Sequence, residues 1–504
     1  MLRLGGNVFD AVVAAVLTSV VAEPCLTSIA GGGFLLAHTQ AGENILFDFF
    51  AQTPRQHRDL QTVDFYPVLV NFGTVTQEFH IGLGSMAVPG TLAGLFHVHQ
   101  RLGRLPLKIV AEPAIHHARA GIQLDRFQAY CFKILSPIWE TAPEMRSPLF
   151  PNGKLLQEGD RLILPHLADT LSYLAEAGAS PLYEGEIGQK LVQDCQERGG
   201  YLTREDLKQY RVMERSPLSL CYRGQTFLTN PPPSSGGALI AFALSLLEQV
   251  ELSKLSFGSP EHLQLLALAM RLTNEARADG YDRNLYQPDV AERFLSPEHQ
   301  ASYAAKLREL STLTAQTPIN KWGSTTHVSA VDAEGNAASV TTTNGEGSGY
   351  LIPGTGIMVN NMLGEADLHP NGFHQWQENV RISSMMAPTM VLNRDRPEIV
   401  LGSGGSNRIR TAILQVISNI VDFGMDVTTA VNAPRIHWEG GTFSAEPGFP
   451  NLSPDPTQFP FDSEVVLWEE QNMFFGGVHT VMVDEEGAIA AVGDSRRCGA
   501  IATV

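Results

Sequence analysis

At 504 residues, with 43% hydrophobic and 17% charged side chains, the chain has a globular composition and enough length for one large layered domain or several ordinary ones. Its formal net charge of −18 argues against nucleic acid and anionic membrane surfaces as partners, because both select clustered Lys and Arg; small molecules or peptides are the expected ligands. The five cysteines (Cys25, Cys131, Cys195, Cys221 and Cys498) are odd in number and lack any CxxC spacing, so no disulfide framework, metal site or cofactor is expected.

Met1 to Asn7 leads without a signal peptide into a helical pattern over Val8–Val16, and the apolar run Ala11–Ala22 is too short for a membrane span. As written the chain is expected in the cytoplasm, or in the periplasm or outside the cell if the true N-terminus lies further upstream. Residues 31–38 and 44–50 read as strands joined by a turn at Gly42. Helical periodicity follows at Gly90–His97, Leu164–Leu174 and Ala238–Leu247. Thr203 precedes Asp206 by three residues, a relative of the capping box. The run Pro231-Pro232-Pro233-Ser234-Ser235-Gly236-Gly237 breaks the chain before a helix that its serines and glycines could cap.

Beyond residue 325 the chain becomes strand-rich, with helices expected at 407–422 and 427–432, a long surface loop at 440–460 and a strand-turn-strand at 478–493. Strands at both ends with helices between suggest stacked sheets covered by helices.

The segment Thr325 to Asn344 reads as one hairpin. Two Val/Thr/Ser-rich runs flank Ala333-Glu334-Gly335, which suits a three-residue loop with Gly335 in the left-handed region. Counting outward from the pair Asp332 and Asn336 in antiparallel register sets Thr343 opposite Thr325. Cross-strand threonines commonly only pack, so this pairing alone does not define a site. The Gly402 to Arg408 run precedes a helical pattern, which suits an anion-holding loop or simply a tight turn. His116-His117 reads as a surface pair, and His327 as a structural hydrogen-bonding side chain. G-x-S-x-G, H-E-x-x-H and P-loop signatures are absent.

Nine segments, in order, resemble the gamma-glutamyltransferases over nearly the whole chain. They are Gly5-Gly6-Asn7 with Asp10-Ala11, Gly31-Gly32-Gly33-Phe34, Val88-Pro89-Gly90-Thr91, Pro231 to Gly237, Thr325-Thr326-His327, Asn360-Asn361-Met362, Ser383-Ser384-Met385 with Ala387-Pro388-Thr389, Gly404-Gly405-Ser406, and Asp494-Ser495-Arg496-Arg497. The resemblance implies an α+β N-terminal-nucleophile hydrolase with a four-layer αββα sandwich. It also implies a self-inflicted cut between Ser324 and Thr325. The products would be a mostly helical fragment 1–324 and a strand-rich fragment 325–504, associated as one globular unit.

By the same resemblance Thr325 is the nucleophile, Thr343 orients or polarises its hydroxyl, and Gly404 and Gly405 supply N–H groups to the oxyanion. Ser383 and Ser384 would bind a substrate α-carboxylate, and Asn344 and Glu365 an α-amino group. The substrate would be a γ-glutamyl amide such as glutathione, and the acceptor water, an amino acid or a peptide. Departures accompany the match: Phe50 replaces a carboxylate-clamping arginine, Met362 replaces a common glutamine, and residues 366–382 are short for a lid loop. A more open and more apolar pocket is expected, with Phe50 at the substrate. A cephalosporin-acylase-like enzyme and an uncut, silent scaffold are the alternatives.

Overall fold

Helix α1 (Val8–Ala22) starts where Asn7 closes a full capping box with Asp10, its side chain accepting from the Phe9 and Asp10 N–H groups. Being apolar on nearly every face, it is buried along most of its length. It leads to strands β1 (Gly32–His38) and β2 (Asn44–Phe49), whose connection turns at Gly42 with φ +82°. The computed structural model describes residues 1–71, 76–309, 323–369, 371–449, 452 and 464–504.

Two antiparallel sheets form the centre. The first has the order β6-β7-β1-β2-β3, with β3 at Met213–Arg215, β6 at Thr326–Val331 and β7 at Ala337–Thr343. The second has the order β11-β10-β9-β8-β5-β4, built from Leu218–Tyr222 (β4), Gln225–Thr229 (β5), Thr389–Asn393 (β8), Arg396–Gly404 (β9), Gly477–Val483 (β10) and Ile489–Val492 (β11). Each sheet therefore joins strands from both sides of residue 325.

The sheets face one another through hydrogen-bonded polar side chains. Ser339 Oγ on β7 donates to the Leu401 carbonyl on β9 (2.8 Å) and accepts from the Thr389 N–H on β8 (3.1 Å). Ser329 Oγ on β6 donates to the His479 carbonyl on β10 (3.1 Å). Such pairing removes the cost of burying hydroxyls between sheets. Helices α1 and α2 (Thr91–Leu102) cover the outer face of the first sheet, and α3 (Ser235–Leu247) and α4 (Arg408–Val421) that of the second. Helix, sheet, sheet and helix are the four layers.

The helices expected near 90, 164, 238 and 407 are present as Thr91–Leu102, Pro165–Ala177, Ser235–Leu247 and Arg408–Val421. The Thr203–Asp206 capping box forms in full. Two expectations need correction. Within the supposed loop 440–460, Thr442–Ala445 is a buried strand between Ile436–Glu439 and Glu464–Leu467, because Gly440-Gly441 is only a hairpin turn; residues 450, 451 and 453–460 lie outside the described residues. Ser234 precedes α3 without a side-chain cap, its hydroxyl being spent on the Ser384 (2.9 Å) and Met386 (3.1 Å) carbonyls.

Candidate active site

The hairpin of β6 and β7 has the register expected from its turn, from Val331↔Ala337 to Thr326↔Thr342. Asp332 and Gly335 close the loop, with the Asp332 N–H on the Asn336 carbonyl (3.0 Å), the Gly335 N–H on the Asp332 carbonyl (3.1 Å) and Gly335 at φ +89°. One further pair along this register is Thr325 and Thr343. On its other side β7 pairs with β1, which sets Gly32 against Thr343. Both threonines are buried.

Several contacts converge on the Ser324–Thr325 bond. Thr343 Oγ1 donates a short hydrogen bond to the Ser324 carbonyl and accepts from the Gly345 N–H at 3.0 Å. The Thr343 hydroxyl thus contacts the carbonyl that precedes Thr325. The Ser324 N–H donates to Glu346 Oε1 at 3.3 Å. Arg497 reaches the Thr325 carbonyl through Nη1 (3.3 Å) and the Gly323 carbonyl through Nη2 (3.4 Å). Thr326 Oγ1 donates to Glu23 Oε2 at 2.5 Å, and burial pushes that carboxyl up.

A buried ion network fixes Arg497. Asp494 binds Arg435 Nη2 (2.6 Å), Arg496 Nη1 (3.2 Å) and the Val478 N–H (2.8 Å), and Arg496 pairs further with Glu446 through Nε at 2.7 Å. Burial raises the Asp494 carboxyl, but the charges of Arg435 and Arg496, with hydrogen bonds from the Val478 and Arg496 backbone N–H groups, outweigh it and hold the carboxyl down to about 2. The turn Ser495–Arg497 is thereby locked after β11, aiming Arg497 at the Gly323 and Thr325 carbonyls.

Gly404 ends β9 against Thr325. A methyl group on it would lie 2.4 Å from the Thr325 carbonyl oxygen, so only glycine fits. Gly405 follows at φ +126°, also glycine territory. Asn344 sits directly after Thr343, with its N–H on the Leu26 carbonyl (3.3 Å) and its Oδ1 buried without a hydrogen-bond partner. The Glu365 carboxyl packs over Gly345, where a methyl would stand 2.4 Å from its Oε1. It adjoins Glu346, whose own carboxyl is pushed well above the usual range by burial first and Glu365 second.

Ser383 and Ser384 form a separate group, docked on the start of α3. Ser383 Oγ pairs with Ser235 Oγ (3.0 Å), and the Ser384 carbonyl accepts from the N–H groups of Ser235 (2.8 Å) and Gly236 (3.1 Å). The link to the threonines runs through Ile382, whose N–H binds the Ala51 carbonyl (3.0 Å), and Ala51 in turn lies against Gly32. Phe50 is 1% exposed, stacks on Phe34 at 5.4 Å and fills the space beside Gly32. Met362 is equally buried.

Arg381 does not take the place of the arginine absent at Phe50. Arg381 lies beside that motif, but its Nη1 binds the Phe50 carbonyl (2.7 Å), its Nη2 the Arg211 carbonyl (2.7 Å), and its Nε faces Asp48 (3.1 Å). His327 is held on both ring nitrogens, by Thr341 and Ser329 at 2.8 Å each, and burial drives its pKa well below the usual histidine value. It is structural. Sequence reasoning missed Glu346, Glu23 and the aim of Arg497. A lone carboxyl among the glycines three residues past Thr343 was the available signal for Glu346.

Two stacked antiparallel sheets between helical layers, with a threonine heading a strand where contacts from several elements converge, define the class of N-terminal-nucleophile hydrolases. A cephalosporin acylase from Bacillus halodurans shares the fold with a TM-score of 0.84 at 24% identity, over 99% of this chain and 92% of that one. The profile of the family described as gamma-glutamyltranspeptidase matches residues 1–504, and the chain belongs to that family of hydrolases and transferases. Among its relatives, the acylase ACY 1 proenzyme of Pseudomonas sp. (strain V22) is 33% identical over 89% of this chain and 82% of its own length. The glutathione hydrolase proenzyme of Escherichia coli (strain K12) is 30% identical over 98% and 87% respectively. Among the described residues, no helix is long and apolar enough to cross a membrane.

Proposed function

We propose that the chain is an autoprocessing threonine amidohydrolase and acyltransferase, working through an acyl-enzyme on Thr325 and passing the acyl group to water or an amine acceptor. The observation that carries this reading is the hydrogen bond from Thr343 Oγ1 to the Ser324 carbonyl. A donor there polarises the bond to be cut and would hold the oxyanion formed when Thr325 Oγ1 adds to the Ser324 carbonyl carbon, a type of contact worth about 3–4 kcal/mol. Collapse of that adduct expels the Thr325 nitrogen, which takes up a proton, and leaves Ser324 as an ester on the Thr325 oxygen. Water then cleaves the ester, freeing the Ser324 carboxyl and regenerating the hydroxyl.

The cut creates the base for turnover. The freed α-amino group of Thr325, with a reference pKa of about 7.7–8.0, takes the hydroxyl proton as the oxygen attacks a substrate amide. The N–H groups of Gly404 and Gly405 receive the oxyanion, and the proton passes to the departing amine. Fragments 1–324 and 325–504 remain associated throughout.

A γ-glutamyl amide, as in glutathione and related compounds, is the leading acyl donor. Ser383 and Ser384 would serve its α-carboxylate, and Asn344 and Glu365 its α-amino group. An acylase of different acyl specificity is the second reading, favoured by Phe50 and by the engagement of both Arg381 Nη atoms with backbone carbonyls, which withhold a bidentate clamp from the carboxylate. A panel of γ-glutamyl 4-nitroanilide, glutathione and acyl amides separates the two. Turnover of acyl amides with none of any γ-glutamyl compound would sink the leading donor. Thr325→Ala is expected to abolish both cleavage and turnover, and a cut at 324/325 persisting in that variant would overturn the mechanism.

A further inference from the structure

In the uncut chain Ser324 is itself the acyl group presented to Thr325, so whatever holds Ser324 marks out the acyl seat. Its carbonyl is bound by Thr343. Its nitrogen, carried on the carbon adjoining that carbonyl, donates to Glu346 Oε1 at 3.3 Å. Glu346 is 2% exposed, and it is fixed from its backbone, with its N–H on Asn361 Oδ1 at 2.9 Å. Gly345 and Gly347, at φ +61° and +88°, let this loop turn the carboxyl back toward the junction. The charged groups that act on Glu346 are Glu365 and Asp367, both acidic.

A buried carboxyl among carboxyls is costly when ionised and is relieved by an opposite charge. Ser324 offers only a neutral N–H, and it departs with the cut. The vacated position lies within hydrogen-bond reach of Glu346 and beside the carbonyl carbon that Thr325 attacks.

We propose that Glu346 is a specificity-determining residue that binds a primary ammonium group on the carbon next to the scissile carbonyl, so that the seat favours α-aminoacyl donors. This rests on the threonine-hydrolase reading above and deepens it. Binding places the ammonium nitrogen where the Ser324 nitrogen stands. It also sets Glu346 apart from Asn344 and Glu365, which were assigned to the more distant amino group of a γ-glutamyl chain.

The test uses two matched pairs of 4-nitroanilides with processed enzyme: 2-aminobutyryl against butyryl, and γ-glutamyl against glutaryl. Wild type is expected to favour 2-aminobutyryl over butyryl in kcat/KM by about 10-fold or more, the scale of a charge-assisted hydrogen bond. Glu346→Gln keeps an acceptor for the Ser324 N–H but no charge, and should bring that ratio close to one. A wild-type ratio near one, including no turnover of either, overturns the proposal. So does a ratio that survives Glu346→Gln, or a Glu346→Gln effect confined to the γ-glutamyl pair. Should the glutamine variant stay uncut, 2-hydroxybutyryl anilide with wild type decides: turnover matching 2-aminobutyryl overturns the requirement for charge. Thr325→Ala is run in parallel, and activity surviving there sinks the hydrolase reading itself.

Discussion

The Ser324 carbonyl is held by the Thr343 hydroxyl. Removing that hydroxyl while keeping the shape isolates its role. Thr343→Val retains a β-branched residue suited to β7, so the fold should tolerate it, but the carbonyl and the Gly345 N–H both lose their partner. Self-cleavage is expected to slow by about 100-fold or more, while Thr343→Ser stays within about 10-fold of wild type. The ratio of full-length to cut bands over time on a denaturing gel measures this, and unchanged cleavage in the valine variant would remove Thr343 from the mechanism. At this scale the sequence was readable wherever geometry is local. The Thr326↔Thr342 register follows from a three-residue loop and a left-handed Gly335, both visible in adjacent letters. Arg497 was not readable in the same way, because its contact with Thr325 spans 172 positions and depends on Arg435, Glu446 and Asp494 being gathered beneath it.

Elements show the same division. Helix α4 was legible to within a residue at each end, and α1 from its start at Val8, although the pattern read to Val16 stops short of its end at Ala22. The strand Thr442–Ala445 was not, since its partners decide it and Gly440-Gly441 disguises it as a loop. Helix α3 matters for function because its first turn receives the Ser383-Ser384 segment. A methyl group on Gly236 would stand 2.1 Å from the Met385 carbonyl oxygen and 2.6 Å from its carbon, both backbone atoms with little room to yield. Gly236→Ala therefore has to push the serines away from the helix, at an overpacking cost of about 1–3 kcal/mol. The expected outcome is a raised KM for γ-glutamyl 4-nitroanilide together with a lowered thermal midpoint, while cleavage before Thr325 still proceeds. A KM equal to wild type would show that the serines do not bind the donor.

For the molecule as a whole, the decisive fact is that neither sheet belongs to one fragment. In the first, β7 pairs with β1 from Gly32↔Thr343 to His38↔Ala337, across the proposed cut. In the second, β8 pairs with β5 through Met390↔Leu228, Val391↔Phe227 and Leu392↔Thr226. The proposed division at residue 325 would therefore be a chemical boundary and not a folding boundary. Breaking the Ser324–Thr325 bond removes no ladder hydrogen bond from either sheet, so both fragments should elute together under native conditions and separate only on a denaturing gel. Conversely, residues 325–504 expressed alone would expose the unpaired edges of β7 and β8 and the apolar faces that α1 and α3 cover, a combination that favours aggregation. Soluble 325–504 with cooperative unfolding would contradict this architecture. Co-expression of 1–324 with a chain beginning at Thr325 should restore a soluble pair, because the contacts that hold the fragments together are already non-covalent.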